Sequence, residues 1–220
     1  PLEHPDYMQV FDAAYTWTWM HKTEDFYKKQ IALDTLITIL KRYDTTPGMK
    51  AWFTSNHDEN SWNGTEYEKY GEAAAALAVF SCTWPGIPLI YNGQELPNLK
   101  RLKFFEKDII EWKKNYELHD FYKTLLNLHK QNPALNGDDN IAAVYRISTS
   151  ANDKLLVYLR KNEQREVLVL LNLSSEAVDF KLNDSRVEGK FEEVFTREKM
   201  NISDEGNFKM RPWNYLVFEK

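Results

Sequence analysis

The spacing of apolar residues changes once along this 220-residue chain, and that change restricts the fold more than any other feature. Up to about Pro133, short apolar runs alternate with stretches whose apolar residues recur at near-helical spacing. After about Ile141 the pattern becomes closely spaced runs of strand character, divided by polar turns, with no helical stretch between them. Alternating strands and helices build a parallel sheet covered by helices, whereas short strands in succession build antiparallel sheets. The sequence therefore predicts an α/β region followed by an all-β region. The polar, glycine-containing segment Asn136-Gly137-Asp138-Asp139-Asn140 is the natural boundary, giving domains over residues 1–136 and 137–220.

In the first region Phe26, Ile31, Leu33, Leu36, Ile37 and Leu40 predict one amphipathic helix over Thr23 to Lys41, with Thr23 and the acidic Glu24 and Asp25 at its start. Pro47-Gly48 ends that unit. A strand is expected from Ala51 to Ser55, a helix of small residues from Glu66 to Cys82, a strand from Ile87 to Tyr91, and a helix from Asp120 to Gln131. In the second region Leu155 to Leu159 and Val167 to Leu171 flank the turn Lys161 to Gln164, which predicts a hairpin. Further strands are expected near Ala142 to Ile147, Ala177 to Leu182, Phe191 to Phe195, Phe208 to Met210 and Tyr215 to Phe218, together making an antiparallel β-sandwich.

Composition narrows the function. Hydrophobic residues make up 43% and charged residues 28%, an ordinary balance for a folded protein. A net charge of −5 argues against a phosphate-backbone partner, so no nucleic acid is expected. No apolar run approaches the roughly 20 residues of a membrane-spanning helix. The lone cysteine, Cys82, sits in an apolar run and is expected to be an inert buried thiol. The chain opens on Pro1 rather than Met, which suggests a processed protein or part of a longer one.

Directly after the apolar run Ala51-Trp52-Phe53-Thr54 comes Ser55-Asn56-His57-Asp58-Glu59-Asn60. In a parallel β/α region the C-terminal ends of strands carry chemistry, because the strand fixes them while the following loop stays open to a ligand. Three readings fit these residues. Asn56 and Asp58 are suited to capping a turn or helix. His, Asp and Glu are metal ligands, but no second histidine or acidic pair stands nearby at ligand spacing. A carboxylate beside an imidazole also suits vicinal sugar hydroxyls and opposes developing positive charge.

The segment Phe53 to Asp58, then Gly71 and the alanine-rich run, then Pro85-Gly86-Ile87-Pro88-Leu89-Ile90-Tyr91-Asn92-Gly93-Gln94-Glu95, resembles the α-amylase family of glycoside hydrolases, family thirteen. The first motif looks like that family's signature at barrel strand seven and the second like its strand-eight signature. Phe11-Asp12-Ala13-Ala14-Tyr15 looks like strand six, Arg101 to Trp112 like the segment after strand eight, and Arg211 to Phe218 like the closing strand of the family's C-terminal sandwich. The resemblance implies a partial (β/α)8 barrel, about strands six to eight with their helices, followed by the β-sandwich.

It also implies roles. Family members cleave α-glucosidic bonds with retention, using an aspartate nucleophile, a glutamate acid/base and a third aspartate that fixes the distorted sugar. Asp58 looks like that third, catalytic carboxylate, and His57, Asn56 and Trp62 are the expected substrate-binding residues. No stretch upstream of Ala51 resembles the signatures that carry the other two carboxylates, so the chain alone is expected to be inactive; Glu3 is a poor substitute because its context differs and a retaining mechanism needs a nucleophile about 5 Å from the acid. Trp17 and Trp19 suit sugar stacking or packing, Gln94 and Glu95 suit bracing of their loop, and Glu59 is expected to stay solvated. No cofactor is expected; a structural calcium occurs in some family members, but no ligand set for one stands out. The expected partner is an α-glucan or oligosaccharide. Extracellular or periplasmic residence follows only from the resemblance. A noncatalytic carbohydrate-binding or scaffolding protein on the same fold, or a transglycosidase or isomerase, remains an alternative. A part-barrel leaves strand edges and an apolar face uncovered, so the chain is expected either to form a homodimer that covers them or to lean heavily on its sandwich domain for stability. Light scattering at several concentrations tests the homodimer, and a strict monomer that binds no hydrophobic dye sinks it.

Overall fold

The computed structural model describes residues 3–112, 114–136, 142–204 and 206–220, in two compact units. The first comprises the chain up to Cys82 together with Ile87–Leu126, the second Thr83–Gly86 together with Asn127–Lys220. The expected boundary at 137–140 lies outside the described residues.

The first unit is built on three parallel strands in the order β1 (Ala13–Tyr15), β2 (Met49–Trp52), β3 (Ile87–Pro88), with Tyr15 opposite Ala51 and Ala51 opposite Ile87. The sheet is open; no closed barrel forms among the described residues. β3 is shorter than the sequence predicts, its pairing with β2 closing on the bond from the Leu89 N–H to the Trp52 carbonyl at 2.9 Å. The Tyr91 N–H is turned instead onto the Gln94 side chain.

The single helix expected over Thr23 to Lys41 is two, α1 (Trp17–Tyr27) and α2 (Leu33–Asp44). Lys29 stops α1 by taking a left-handed conformation, φ 59°. The Lys29 N–H then bonds the Phe26 carbonyl and the Gln30 N–H the Asp25 carbonyl, each at 2.9 Å, which satisfies the last carbonyls of α1 in a Schellman cap. α2 buries Leu36, Ile37 and Leu40. Between β2 and β3 the small-residue helix is likewise divided, into α3 (Glu66–Tyr70) and α4 (Ala74–Thr83), by a tight turn at Gly71. Trp19 of α1 stacks on Phe80 of α4 at 4.3 Å and meets Trp52 of β2 edge-on at 5.8 Å, so these aromatics fill the core between helices and sheet. After β3 the chain continues into α5 (His119–Gln131).

The second unit carries a six-stranded antiparallel sheet in the order β4 (Ala143–Arg146), β5 (Leu155–Asn162), β6 (Arg165–Asn172), β11 (Tyr215–Glu219), β8 (Gly189–Glu193), β9 (Lys199–Ile202). A second sheet pairs β10 (Asn207–Met210) with β7 (Val178–Lys181). The β5–β6 hairpin runs in register from Leu155 opposite Asn172 to Asn162 opposite Arg165, turning through Glu163 at φ 51°. One face of the hairpin, Leu155, Val157, Leu159, Leu168 and Leu170, packs with Phe180 and Met210 of the second sheet. The other face is buried too: the Tyr158 hydroxyl lies 2.6 Å from that of Thr83, its ring meets Trp84 edge-on at 4.8 Å, and the fully buried Arg160 donates to the Thr83 carbonyl at 3.2 Å. Of β9 only Ile202 is buried, so no alternation marks this strand in the sequence. No helix among the described residues is long and apolar enough to cross a membrane.

Candidate functional site

Past the last residue of β2 the chain stays buried through Phe53, Thr54, Ser55 and Asn56, then emerges at His57. Asn56 governs the turn: its Oδ1 accepts from the Glu59 N–H at 2.9 Å, and its carbonyl accepts from the Asn60 N–H at 2.9 Å. A wide helical turn over Glu59–Asn63 follows, ended by Gly64. The Asn56 Nδ2 and Ser55 hydroxyl are buried with no hydrogen-bond partner among the described residues.

His57 and Asp58 are thereby presented outward, with side chains 62% and 41% exposed and His57 Nε2 3.6 Å from Asp58 Oδ1. That separation exceeds a hydrogen bond, so each keeps its donors and acceptors for a ligand. The His57 ring lies over Phe104, with centroids 5.9 Å apart and planes at 21°. Trp62 is exposed and adjoins the same Phe104 at 5.3 Å. Sequence reasoning passed over Phe104 and Phe105; the available mark was an apolar pair inside a highly charged segment.

Beneath this surface is a buried polar support. Glu59, expected to stay solvated, is only 2% exposed. Its Oε2 lies 3.2 Å from the ammonium of Lys69, while Oε1 takes the Asn63 amide at 2.9 Å and faces His21 Nε2 at 3.3 Å. Lys69 also donates to the Thr54 carbonyl at 3.1 Å, tying α3 to the end of β2. Burial holds the Lys69 ammonium below the usual lysine range, with Glu59 opposing that shift.

A second buried group, Glu66, accepts from the Thr54 hydroxyl and, at 2.8 Å, from Gln94 Nε2. Gln94 also reaches the Tyr122 hydroxyl at 3.1 Å, so it braces the loop after β3. Burial pushes the Glu66 carboxyl up, although Thr54, Gln94 and Lys69 each pull it down. Thr65 and Glu68 close a capping box on α3, and Glu68 receives Arg101 Nε on both oxygens at 3.0 and 3.1 Å. Arg101 and the Thr65 N–H lower the Glu68 carboxyl to about 2.

The remaining candidates have structural partners. Glu3 accepts from the Thr18 N–H at 2.7 Å, the Thr18 hydroxyl at 2.6 Å and the Tyr43 hydroxyl at 2.6 Å, which fastens it between α1 and α2. Trp19 is core, and Trp17 packs edge-on against Phe53 at 5.4 Å and Tyr15 at 6.0 Å. Cys82 is buried, its thiol pushed up to about 12 by desolvation. Among the described residues no three His, Cys, Asp or Glu side chains converge as metal ligands do.

Residues 145–217 match the family model described as the maltogenic amylase C-terminal domain. The alpha-amylase MalA of Haloarcula japonica is 32% identical over 126 residues, 56% of this chain and 18% of that protein. A cyclomaltodextrinase of Thermoanaerobacter pseudethanolicus is 25% identical over 206 residues, 88% of this chain and 33% of that protein. In fold, a maltogenic alpha-amylase from Thermotoga neapolitana superposes over 99% of this chain and 52% of its own, with a TM-score of 0.82 at 21% identity. The chain thus spans about half of that structure and a third or less of these two curated relatives. The chain thus matches the α-amylase and maltogenic amylase family of glycoside hydrolases, family thirteen: its C-terminal strands match the domain model, and its α/β-plus-sandwich architecture matches solved amylases in fold.

Proposed function

We propose that this chain is the sugar-gripping portion of an α-amylase-like retaining glycoside hydrolase: the last strands of a (β/α)8 barrel and their sandwich. Asp58 is the carboxylate that holds ring hydroxyls as the sugar flattens towards an oxocarbenium ion, and His57 hydrogen-bonds the same unit. A carboxylate whose bonds strengthen as positive charge develops favours the transition state over the ground state, which is where catalysis resides. Asn56 sets the turn that aims both residues and presents a buried amide to the site, and Trp62 supplies an apolar face. The observation that carries this reading is the exposed His57–Asp58 pair, placed at the C-terminal end of a strand in a parallel sheet with neither side chain consumed by the other.

The nucleophile and the acid/base are contributed, on this reading, by polypeptide outside these residues. The 220 residues alone should therefore release no product from an α-glucan, and robust hydrolysis by them would remove the proposal. In the intact enzyme Asp58→Asn should lower kcat by about a hundred- to a thousand-fold, in the range seen when one preorganised stabilising group is lost. Its unfolding midpoint should barely move, because Asp58 is part-exposed. Near-normal turnover takes Asp58 out of the site.

A further inference from the structure

A carboxyl oxygen that accepts no hydrogen bond, in a residue withdrawn from solvent, has to be met by water or by a ligand. Glu66 presents such an oxygen. The residue is 6% exposed, and both bonds its carboxyl receives, from the Thr54 hydroxyl and from Gln94 Nε2, fall on Oε1, so Oε2 accepts none among the described residues. Glu66 also lines a cavity of about 380 Å3 bounded by α3, the start of α4 and the start of α5. That volume lies within the range of roughly 300–1,000 Å3 usual for small-molecule sites.

The walls of the cavity all belong to the first compact unit and are fixed from behind. The Tyr122 hydroxyl accepts from Gln94 Nε2 at 3.1 Å, the Leu118 N–H bonds the Glu95 carbonyl at 3.0 Å, and the Tyr122 N–H bonds the Leu118 carbonyl at 3.0 Å. Tyr67, Phe121 and Tyr122 give the cavity aromatic surface, and Leu118 closes it with an aliphatic side chain. Among the described residues its lining contains no lysine or arginine, whereas Glu72 stands in it with Glu66. Burial raises the Tyr67 phenol, and Glu66 and Glu117 add to that, which places a third carboxyl nearby.

We infer that this cavity binds a small organic ammonium ion, with its cation paired to Glu66 Oε2 and its apolar body against Tyr67, Phe121 and Tyr122. Charge complementarity selects the occupant. An anion would meet the carboxyls of Glu66 and Glu72 and no cation in the lining. A calcium ion takes about six to eight oxygen ligands, and no such group converges among the described residues. A neutral apolar molecule would leave Oε2 unmet, while an ammonium donates a charge-assisted hydrogen bond to it and is attracted by tyrosine rings. The charged and titratable groups around Glu66 leave that place open. Lys69 is committed to Glu59 and the Thr54 carbonyl, and Tyr67, Tyr70 and Tyr122 are phenols raised by burial. Burial also raises the Glu66 carboxyl, and an arriving cation favours its ionised form. Binding therefore displaces the carboxyl proton to the buffer and tightens as pH rises.

The test is calorimetric titration of the 220-residue chain with benzylammonium, and with benzyl alcohol as its uncharged counterpart, in buffers of different ionisation enthalpy. Benzylammonium should bind with a dissociation constant on the order of 1 mM at about pH 7, and at least about ten-fold more tightly than the alcohol. Its affinity should rise at least about ten-fold between about pH 5 and pH 7, with protons released on binding. Glu66→Gln should weaken binding about ten-fold at about pH 7 and remove both the pH dependence and the proton release. Leu118→Trp, which narrows the cavity and leaves Glu66 in place, should weaken it comparably, with folding of each variant checked by circular dichroism. Equal affinity for the amine and the alcohol, or unaltered binding in Glu66→Gln, overturns the ionic pairing. Binding that survives Leu118→Trp, or no binding at all, overturns the site.

Discussion

Lys69 is more deeply buried than the two residues it supports, at 1% exposure, and its ammonium joins the Glu59 carboxylate to the end of β2. Removing one partner of a buried pair leaves an uncompensated charge, so Lys69→Met should destabilise the fold by about 3–5 kcal/mol. Lys69→Met combined with Glu59→Leu should recover a large part of that loss; chemical denaturation of the three proteins checks both expectations. Glu66 supplies the pH dependence. Its folded carboxyl is raised above the ordinary value of 4.5, chiefly by burial. Below that value both folded and unfolded forms carry the proton and nothing is lost. As pH rises through it the unfolded chain ionises first, so the residue increasingly favours unfolding until the folded pKa is reached. Glu66→Gln should therefore gain stability over the natural protein as pH rises from about 4.5 to 7, with the gap closing at lower pH; a gap independent of pH refutes this. At this scale the outward exposure of His57 and Asp58 accords with the expectation of an open loop after a strand, although Ser55, Asn56, Glu59 and Asn60 of the same polar stretch are buried. The sequence does not disclose that Glu59 turns inward, since that depends on Lys69, ten positions later and a helix away.

Among the elements, the breaks were harder to read than the segments. The apolar spacing from Phe26 to Leu40 is continuous enough to suggest one helix, yet the polar run Lys28-Lys29-Gln30 carries a left-handed residue with no glycine to advertise it. Gly71 stands at the second break, between α3 and α4. It has φ 47° and ψ −123°, and a Cβ there would lie 2.1 Å from the Tyr27 hydroxyl oxygen. Gly71→Ala should cost at least about 1–3 kcal/mol from backbone strain alone, read as a lowered midpoint in thermal unfolding. Adding Tyr27→Phe should relieve only the steric share. β9 escaped detection because a strand with one buried residue has no period to read. The β5–β6 hairpin was plain, since strands buried on both faces appear as unbroken apolar runs.

Across the whole chain, the change in apolar spacing near Pro133 correctly announces parallel strands before it and antiparallel strands after it. What spacing does not convey is which distant segments complete each unit. The second unit includes Thr83–Gly86, separated in sequence from the rest of it. Thr83 and Trp84 of that stretch both meet Tyr158 on the outer face of the β5–β6 hairpin, and the Thr83 carbonyl receives the guanidinium of a fully buried arginine. Grafting or exchanging the sandwich as a module thus takes two pieces of chain rather than one. An unrelated catalytic domain joined at a single seam would leave Arg160 without that acceptor, so a productive exchange between relatives is expected to carry the end of α4 along with the strands.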